Sequence, residues 1–150
     1  MRILLVGQAP NQHGDPTKPL TGRVGAKIAK LAGISTFRYL RRTERCNLLN
    51  SWRGKFGKGD AFPKGEAEVA ASRMLPLLDG RRVIFVGKMV AEAFQVPTDE
   101  LCRWSYSERL KCDFAILPHP SGIVRWWNSK DNVNLASAFL MGAFQPKEIR

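Results

Sequence analysis

The sequence predicts a single-domain α/β protein, with a three-layer α/β/α arrangement around a central four-stranded parallel sheet. Three observations support this prediction. The 150 residues fit one domain, 1–150, with no length left for a second. Short apolar runs alternate with helical segments along the chain. Each apolar run leads into a Gly- or Pro-containing turn, and right-handed crossovers between parallel strands place helices on both faces of the sheet.

The predicted strands are short apolar runs of the kind found in buried parallel sheets. The first covers residues 3–6 and ends at Gly7, the second ends near residues 46–49, and the last two cover residues 82–86 and 114–117. Each run is too short for a helix of ordinary length, which favours the strand interpretation.

The helical segments are predicted from apolar spacing and from their stop signals. Gly22 begins a helix that places Val24, Ile28 and Leu31 on one apolar face, and Gly33 ends it. Further helices are predicted at residues 66–78, after Gly87, and at 132–144.

The chain is strongly basic. Lys and Arg number 24 against 13 Asp and Glu, so the formal net charge is +11. A field of that sign attracts polyanions, which makes nucleic acid the leading partner. A basic, solvated surface without a nucleic-acid partner is the alternative that charge leaves open.

Cysteine use and hydropathy predict the compartment. Cys46, Cys102 and Cys112 form no CxxC pair and leave an odd thiol, which fits a reducing compartment. The N-terminal apolar run is too short for a signal peptide, and no run approaches about 18 apolar residues. We expect a cytoplasmic monomer with no membrane partner.

The loops at the carboxyl ends of the strands are the expected site, because ligands of parallel sheets bind there. Gly7-Gln8-Ala9-Pro10-Asn11 forms a tight turn that can present backbone N–H groups to a ligand. Neither a GxGxxG fingerprint nor a GK[ST] sequence follows, so a nucleotide cofactor is not expected.

A second motif, His119-Pro120-Ser121-Gly122, follows the last strand. A His beside such a turn can direct its imidazole into the crevice. Residues 125–128, Arg-Trp-Trp-Asn, add a cation and aromatic rings suited to phosphate binding and base stacking. A structural His and a core Trp are the alternatives.

Together these motifs resemble those of the uracil-DNA glycosylase superfamily, which carries a G-[QEIM]-x-P turn after the first strand and an H-P-S-x turn after the last. Residues 19–25, Pro-Leu-Thr-Gly-Arg-Val-Gly, are similar to the P-F-V-G-R-x-G stretch of its thermostable iron-sulfur branch. The resemblance implies a uracil-DNA glycosylase-like fold. It also implies a monofunctional enzyme that flips uracil or a related modified pyrimidine out of single- or double-stranded DNA and hydrolyses its N-glycosidic bond.

The resemblance also implies roles for particular residues. His119 and backbone N–H groups near Gln8 would stabilise the departing base, and Asp15 is the carboxylate left to activate water or stabilise a cation. The implied base-binding residues are Ala9, Asn11, Leu20 and Asn47, with Asn50 competing for the role of Asn47. The expected DNA-binding residues are Arg23, Arg53, Lys55, Lys58, Ser121, Gly122, Ile123, Arg125 and Trp126, with Ile123 or Trp126 as the wedge.

The chain departs from that branch at several positions. It lacks the cluster cysteines, so we expect no cofactor and no metal. Gln8 replaces the Glu of that branch, and Leu20 replaces its stacking Phe. Ala9 stands where many members of the superfamily have an Asp or Asn that positions water. Two alternatives therefore stay open: a DNA-binding member of the fold without catalysis, and a hydrolase of a modified base or nucleotide.

Overall fold

A computed structural model describes residues 2–10, 15, 17–49, 63–121 and 124–145. Its strands are β1 (Ile3–Gly7), β2 (Thr43–Asn47), β3 (Arg82–Val86), β4 (Ser105–Ser107) and β5 (Cys112–Leu117). Its helices are α1 (Gly22–Leu31), α2 (Thr36–Arg42), α3 (Lys64–Leu78), α4 (Lys88–Ala93) and α5 (Lys130–Ala143), with a 3-10 helix at Arg125–Asn128.

The strands of the described chain form one sheet in the order β2-β1-β3-β5-β4. The first four of these are parallel neighbours, and β4 pairs antiparallel with β5 at the edge. The predicted α/β class is confirmed, but the predicted count of four strands is wrong, since this sheet has five. The fifth strand, β4, has the sequence Ser-Tyr-Ser and carries no apolar run. Its place depends on pairing with β5 rather than on its own composition.

The inner strands send alternate side chains to two separate cores, as strand geometry requires. Leu4 and Val6 of β1 belong to a cluster formed with α3 and α4. Ile3 and Leu5 belong to a second cluster, formed with α1, α2 and α5. Helices therefore cover both faces of the sheet and produce three layers.

The helices agree with the predicted segments except for α2. As predicted, α1 begins at Gly22 and is followed by Gly33, whose φ of +69° suits a glycine stop. Helix α2 has seven residues and begins after Ser35, whose hydroxyl accepts the Arg38 N–H. A single buried residue, Tyr39, leaves this helix without the apolar periodicity that would predict it.

Candidate active site

The carboxyl ends of the parallel strands form one row. Gly7 at the end of β1 lies beside Asn47 at the end of β2, and Val86 of β3 lies beside Leu117 of β5. Neighbouring strands are about 4.8 Å apart, so the ends of β2 and β5 are separated by about 14 Å. The loops that carry both sequence motifs therefore start within a short distance of each other.

Gly7 is the point at which two predicted base-binding residues meet. A Cβ atom at Gly7 would lie 2.8 Å from Leu20 Cδ2 and 2.9 Å from Asn47 Oδ1. Both distances are shorter than a real Cβ contact, so any side chain at position 7 would force Leu20 or Asn47 to move. The structure thus brings an amide and an apolar side chain together, both half-buried, at the carboxyl edge.

Leu20 is held in an unusual backbone conformation. Its φ is +53°, in the left-handed region that non-glycine residues rarely adopt. The Tyr39 hydroxyl donates a hydrogen bond of 2.8 Å to the Leu20 carbonyl. A Cβ at Gly25 would lie 2.6 Å from the same carbonyl oxygen, so α1 approaches Leu20 closely because Gly25 has no side chain. Sequence reasoning missed Tyr39, because it is a single buried residue in a short helix.

Gln8 and Ala9 lie directly after β1 and are half-buried. The Gly7 and Gln8 carbonyls accept hydrogen bonds from the N–H groups of Leu48 and Leu49, each at 2.8 Å. These two bonds extend the β1–β2 ladder by two residues and join the first turn to the segment after Asn47. Gln8 therefore lies beside the segment that directly follows Asn47.

His119 lies two residues beyond β5 and is half-buried. Its Cβ would be 3.8 Å from a Cβ at Gly87, whose φ of +109° belongs to glycine. Trp127 Nε1 donates a hydrogen bond of 2.8 Å to the backbone carbonyl of His119. This bond does not use the imidazole ring. Burial, and second the charge of Lys27, hold the pKa of His119 below its ordinary value of 6.5. The imidazole is therefore neutral at neutral pH, with one N–H to donate.

Lys27 and the adjacent tryptophans Trp126 and Trp127 lie on the His119 side of the site. Lys27 Nζ lies 5.2 Å from the centre of the Trp127 ring. The rings of Trp126 and Trp127 meet edge to face with centres 4.8 Å apart, and both pack against the second core. Asn132 Nδ2 donates to the Trp126 carbonyl at 2.9 Å. Trp126, a predicted wedge, is thus partly buried in this contact.

Asp15, the predicted catalytic carboxylate, is exposed and forms a local turn. Its Oδ1 accepts the Thr17 hydroxyl at 2.6 Å and the Thr17 N–H at 2.8 Å. These hydrogen bonds, the hydroxyl first, hold the pKa of Asp15 below its ordinary value. The group is thereby kept ionised, which favours stabilising a cation over accepting a proton.

The described DNA-binding candidates differ in exposure. Arg23 on α1 and Arg125 in the 3-10 helix are exposed, and Ser121 is half-buried beyond the His119 turn. The remaining predicted residues lie outside the described residues: Asn11, Arg53, Lys55, Lys58, Gly122 and Ile123, together with the alternative Asn50.

The three cysteines are free thiols. Burial raises the pKa of Cys46 and of Cys112 to about 11, and that of Cys102 to about 12, so none is a ready nucleophile. Within the described ranges, no group of three or more His, Cys, Asp or Glu residues is placed to hold a metal ion. None of the helices described is both long enough and apolar enough to cross a membrane.

No known protein-family model matches the chain, and no curated protein matches its sequence. A carboxamide beside an apolar wall can bind the polar edge and the face of a planar ring. A neutral imidazole in the same row of loops can donate a hydrogen bond to charge that develops on a departing group.

Proposed function

We propose that this chain is a monofunctional DNA N-glycosylase that hydrolyses the N-glycosidic bond of uracil or a related modified pyrimidine and leaves an abasic site. The observation that carries the proposal is the meeting of Asn47 and Leu20 across Gly7, at the edge of the sheet that also carries His119. The proposal includes the uracil-DNA glycosylase-like arrangement, which is supported by motifs at the ends of β1 and β5.

Base recognition would depend on the Asn47 side. A base inside a duplex must be flipped out, at an unstacking cost of about a few kcal/mol, before it can enter a pocket. The Asn47 amide offers a donor and an acceptor to the polar edge of a pyrimidine. Leu20 supplies an aliphatic contact to the ring in place of an aromatic one.

Bond cleavage would depend on His119. As the glycosidic bond breaks, the sugar becomes cationic and the base gains negative charge. A neutral imidazole has one N–H that can donate a hydrogen bond to the negative charge on the base. Backbone N–H groups near Gln8 would donate further hydrogen bonds to the same charge. Asp15, which its Thr17 hydrogen bonds keep ionised, would stabilise the sugar cation or orient water.

The charge of +11 supports DNA as the substrate, and exposed Arg23 and Arg125 are proposed phosphate contacts. We propose that the enzyme acts as a monomer in the cytoplasm, consistent with three free cysteines. A DNA-binding protein without catalysis and a hydrolase of a modified base or nucleotide are outcomes that the following assay separates.

The assay uses end-labelled single- and double-stranded oligonucleotides with uracil, 5-hydroxymethyluracil, hypoxanthine or only normal bases, followed by alkali. We expect cleavage at a uracil or modified-pyrimidine position.

His119→Ala should lower the rate by about 100- to 1,000-fold. The fold should be retained, because the hydrogen bond from Trp127 uses the His119 backbone carbonyl and not the imidazole. Asn47→Asp should change which base is accepted. Asp15→Asn keeps an acceptor for Thr17 but removes the negative charge, and it should lower the rate by about 100-fold or more.

Asn134→Asp is the matched control for Asn47→Asp, because Asn134 is exposed on α5 and lies outside the site. It should leave base choice unchanged. Tight DNA binding without base release on any substrate would favour the non-catalytic alternative. Release from a free nucleotide alone would favour the nucleotide hydrolase, and strand cleavage without alkali or heat would contradict a monofunctional enzyme.

A further inference from the structure

Tyr39 is a buried tyrosine whose hydroxyl reaches the candidate site. It belongs to α2, is 1% exposed, and donates its hydrogen bond to the Leu20 carbonyl, 19 residues earlier in the chain. Burial raises the pKa of this hydroxyl well above its ordinary value, so the hydroxyl keeps its proton and remains a donor. The contact joins α2 to the loop that supplies the apolar wall of the site.

Tyr39 is itself held firmly in place. Thr43 Oγ1 donates a hydrogen bond of 2.7 Å to the Tyr39 carbonyl. The Arg45 guanidinium lies 5.6 Å from the centre of the ring, and the Phe144 ring lies 6.2 Å away on the second core. Because its backbone and its ring are both anchored, the hydroxyl acts as a rigid donor.

The Leu20 backbone needs such support. A φ of +53° is unfavourable for a leucine, since its Cβ approaches its own carbonyl oxygen. The Tyr39 hydrogen bond and the contact with Gly25 oppose relaxation to an ordinary conformation. In the strained conformation, Leu20 Cδ2 lies within 2.8 Å of the position that a Cβ at Gly7 would take, beside Asn47.

We propose that Tyr39 is a positioning residue that, through the Leu20 carbonyl, holds the Leu20 side chain against Asn47 and so sets which base the site accepts. The effect of Tyr39 on base selectivity rests on the proposed glycosylase function, whereas its effect on the position of Leu20 does not. Loss of the hydroxyl frees Leu20 to change its backbone conformation. The apolar wall then moves, while Asn47 stays at the end of β2 and His119 stays in the turn after β5.

The test is Tyr39→Phe, which removes the hydroxyl and keeps the ring in the core. The chain has two tyrosines, and the other, Tyr106, is 64% exposed on β4, so Tyr106→Phe is the matched control. In Tyr39→Phe we expect the ratio of kcat/KM between the best and the second-best base to fall about fivefold, mainly through KM, as for one lost hydrogen bond. The control should keep the wild-type ratio.

A second variant, Leu20→Gly, removes the wall without altering Tyr39, and glycine accepts the positive φ. If Tyr39 acts through Leu20, the double variant should lose no more discrimination than Leu20→Gly alone. Additive losses would overturn the proposal, because they would show that Tyr39 acts by another route.

A spectroscopic measurement separates this inference from the proposed function. A Cβ at Gly7 would lie 2.8 Å from Leu20 Cδ2, and one Gly7 Hα points in that direction, so the wild-type protein should show a nuclear Overhauser effect between the Leu20 methyl groups and this Hα. Loss of that signal in Tyr39→Phe and not in Tyr106→Phe supports the positioning role even if no substrate is cleaved, in which case only the glycosylase proposal fails. An unchanged signal in Tyr39→Phe overturns the positioning role.

Discussion

The two edges of the sheet are built in opposite ways. At the amino edge, Arg81 is buried, and its guanidinium donates to Glu44 Oε2 and to the Arg2 carbonyl, each at 3.0 Å. Arg2 also reaches Glu44 at 3.3 Å, so the starts of β1, β2 and β3 are joined by charged groups that have partners. At the carboxyl edge, Gly7 has no side chain, and the uncharged side chains of Leu20 and Asn47 occupy the space beside it.

This difference separates stability from function within one sheet. The Arg81 hydrogen bond, followed by the charges of Arg81 and Arg2, holds the pKa of Glu44 below its ordinary value, as expected for an ion pair that stabilises the fold. His119 at the other edge has its pKa lowered by burial and a nearby cation, which favours its neutral form. At the amino edge, ion pairs join the strands. At the carboxyl edge, burial and a nearby cation keep His119, the group proposed to contact the substrate, uncharged.

The largest effect is expected from Gly7→Ala. The added methyl group would collide with Leu20 and Asn47, and a displacement of about 1 Å at the reacting groups lowers the rate by about 100-fold. Overpacking should also lower the free energy of unfolding by about 1–3 kcal/mol. Kinetics on the preferred oligonucleotide and urea denaturation measure the two effects.

The matched control is Gly142→Ala on α5, where no atom lies within 4 Å of the new methyl group. That variant should keep its rate and gain about 0.5–1 kcal/mol of stability. Wild-type kinetics in Gly7→Ala would contradict a site built around the Leu20 and Asn47 side chains beside Gly7.

Arg81→Ala should have a smaller effect, confined to stability. It removes hydrogen bonds from a charged donor to Glu44 and to the Arg2 carbonyl, and should lower the free energy of unfolding by about 2 kcal/mol. For a chain of this size the midpoint of thermal unfolding should fall by roughly 4–8 °C. Base release per folded molecule should not change.

Arg73→Ala, at an exposed position on α3, provides the control for loss of a surface arginine and should change the midpoint little. If Arg81→Ala lowered the rate of the folded protein as strongly as Gly7→Ala, the division of roles between the two edges would be wrong.

The smallest effect is expected from Lys27→Gln. Removing this cation should raise the pKa of His119 toward its ordinary value, while the effect of burial remains. Because the wild-type pKa is lower in the folded than in the unfolded state, the unfolded state binds the proton first as the pH falls through 6.5. Wild-type stability should therefore fall on acidification in that range, and the variant should lose less.

Imidazole titration by NMR and denaturation at about pH 7.5 and about pH 5 check both signs. Lys30→Gln, exposed on the same helix, removes a charge that does not contribute to the lowered pKa of His119, and it should leave the His119 titration unchanged. Identical His119 titrations in Lys27→Gln and wild type would show that burial alone lowers this pKa.

The elements that were predicted correctly are those whose burial follows a pattern of neighbouring residues in the sequence. The run 82–86 is β3 to the residue, and the helix from Gly22 ends before Gly33 as its spacing indicates. Helix α5 begins at Lys130 and α3 at Lys64, each two residues before the predicted start, because apolar spacing does not mark the first turn of a helix. Strand β4 and helix α2 lack a local apolar pattern and were missed.

By itself, the sequence determined the alternation of strands and helices, the basic charge, and the positions of Asn47 and His119 at strand ends. These features follow from patterns of adjacent residues, because burial on a strand or a helix repeats over a few positions. Only the tertiary structure decided that Leu20 meets Asn47 across Gly7, that Tyr39 holds the Leu20 carbonyl, and that Lys27 lies near His119. Those contacts join residues far apart in the chain, and they form only when α1, α2 and the loops pack against the same edge of the sheet.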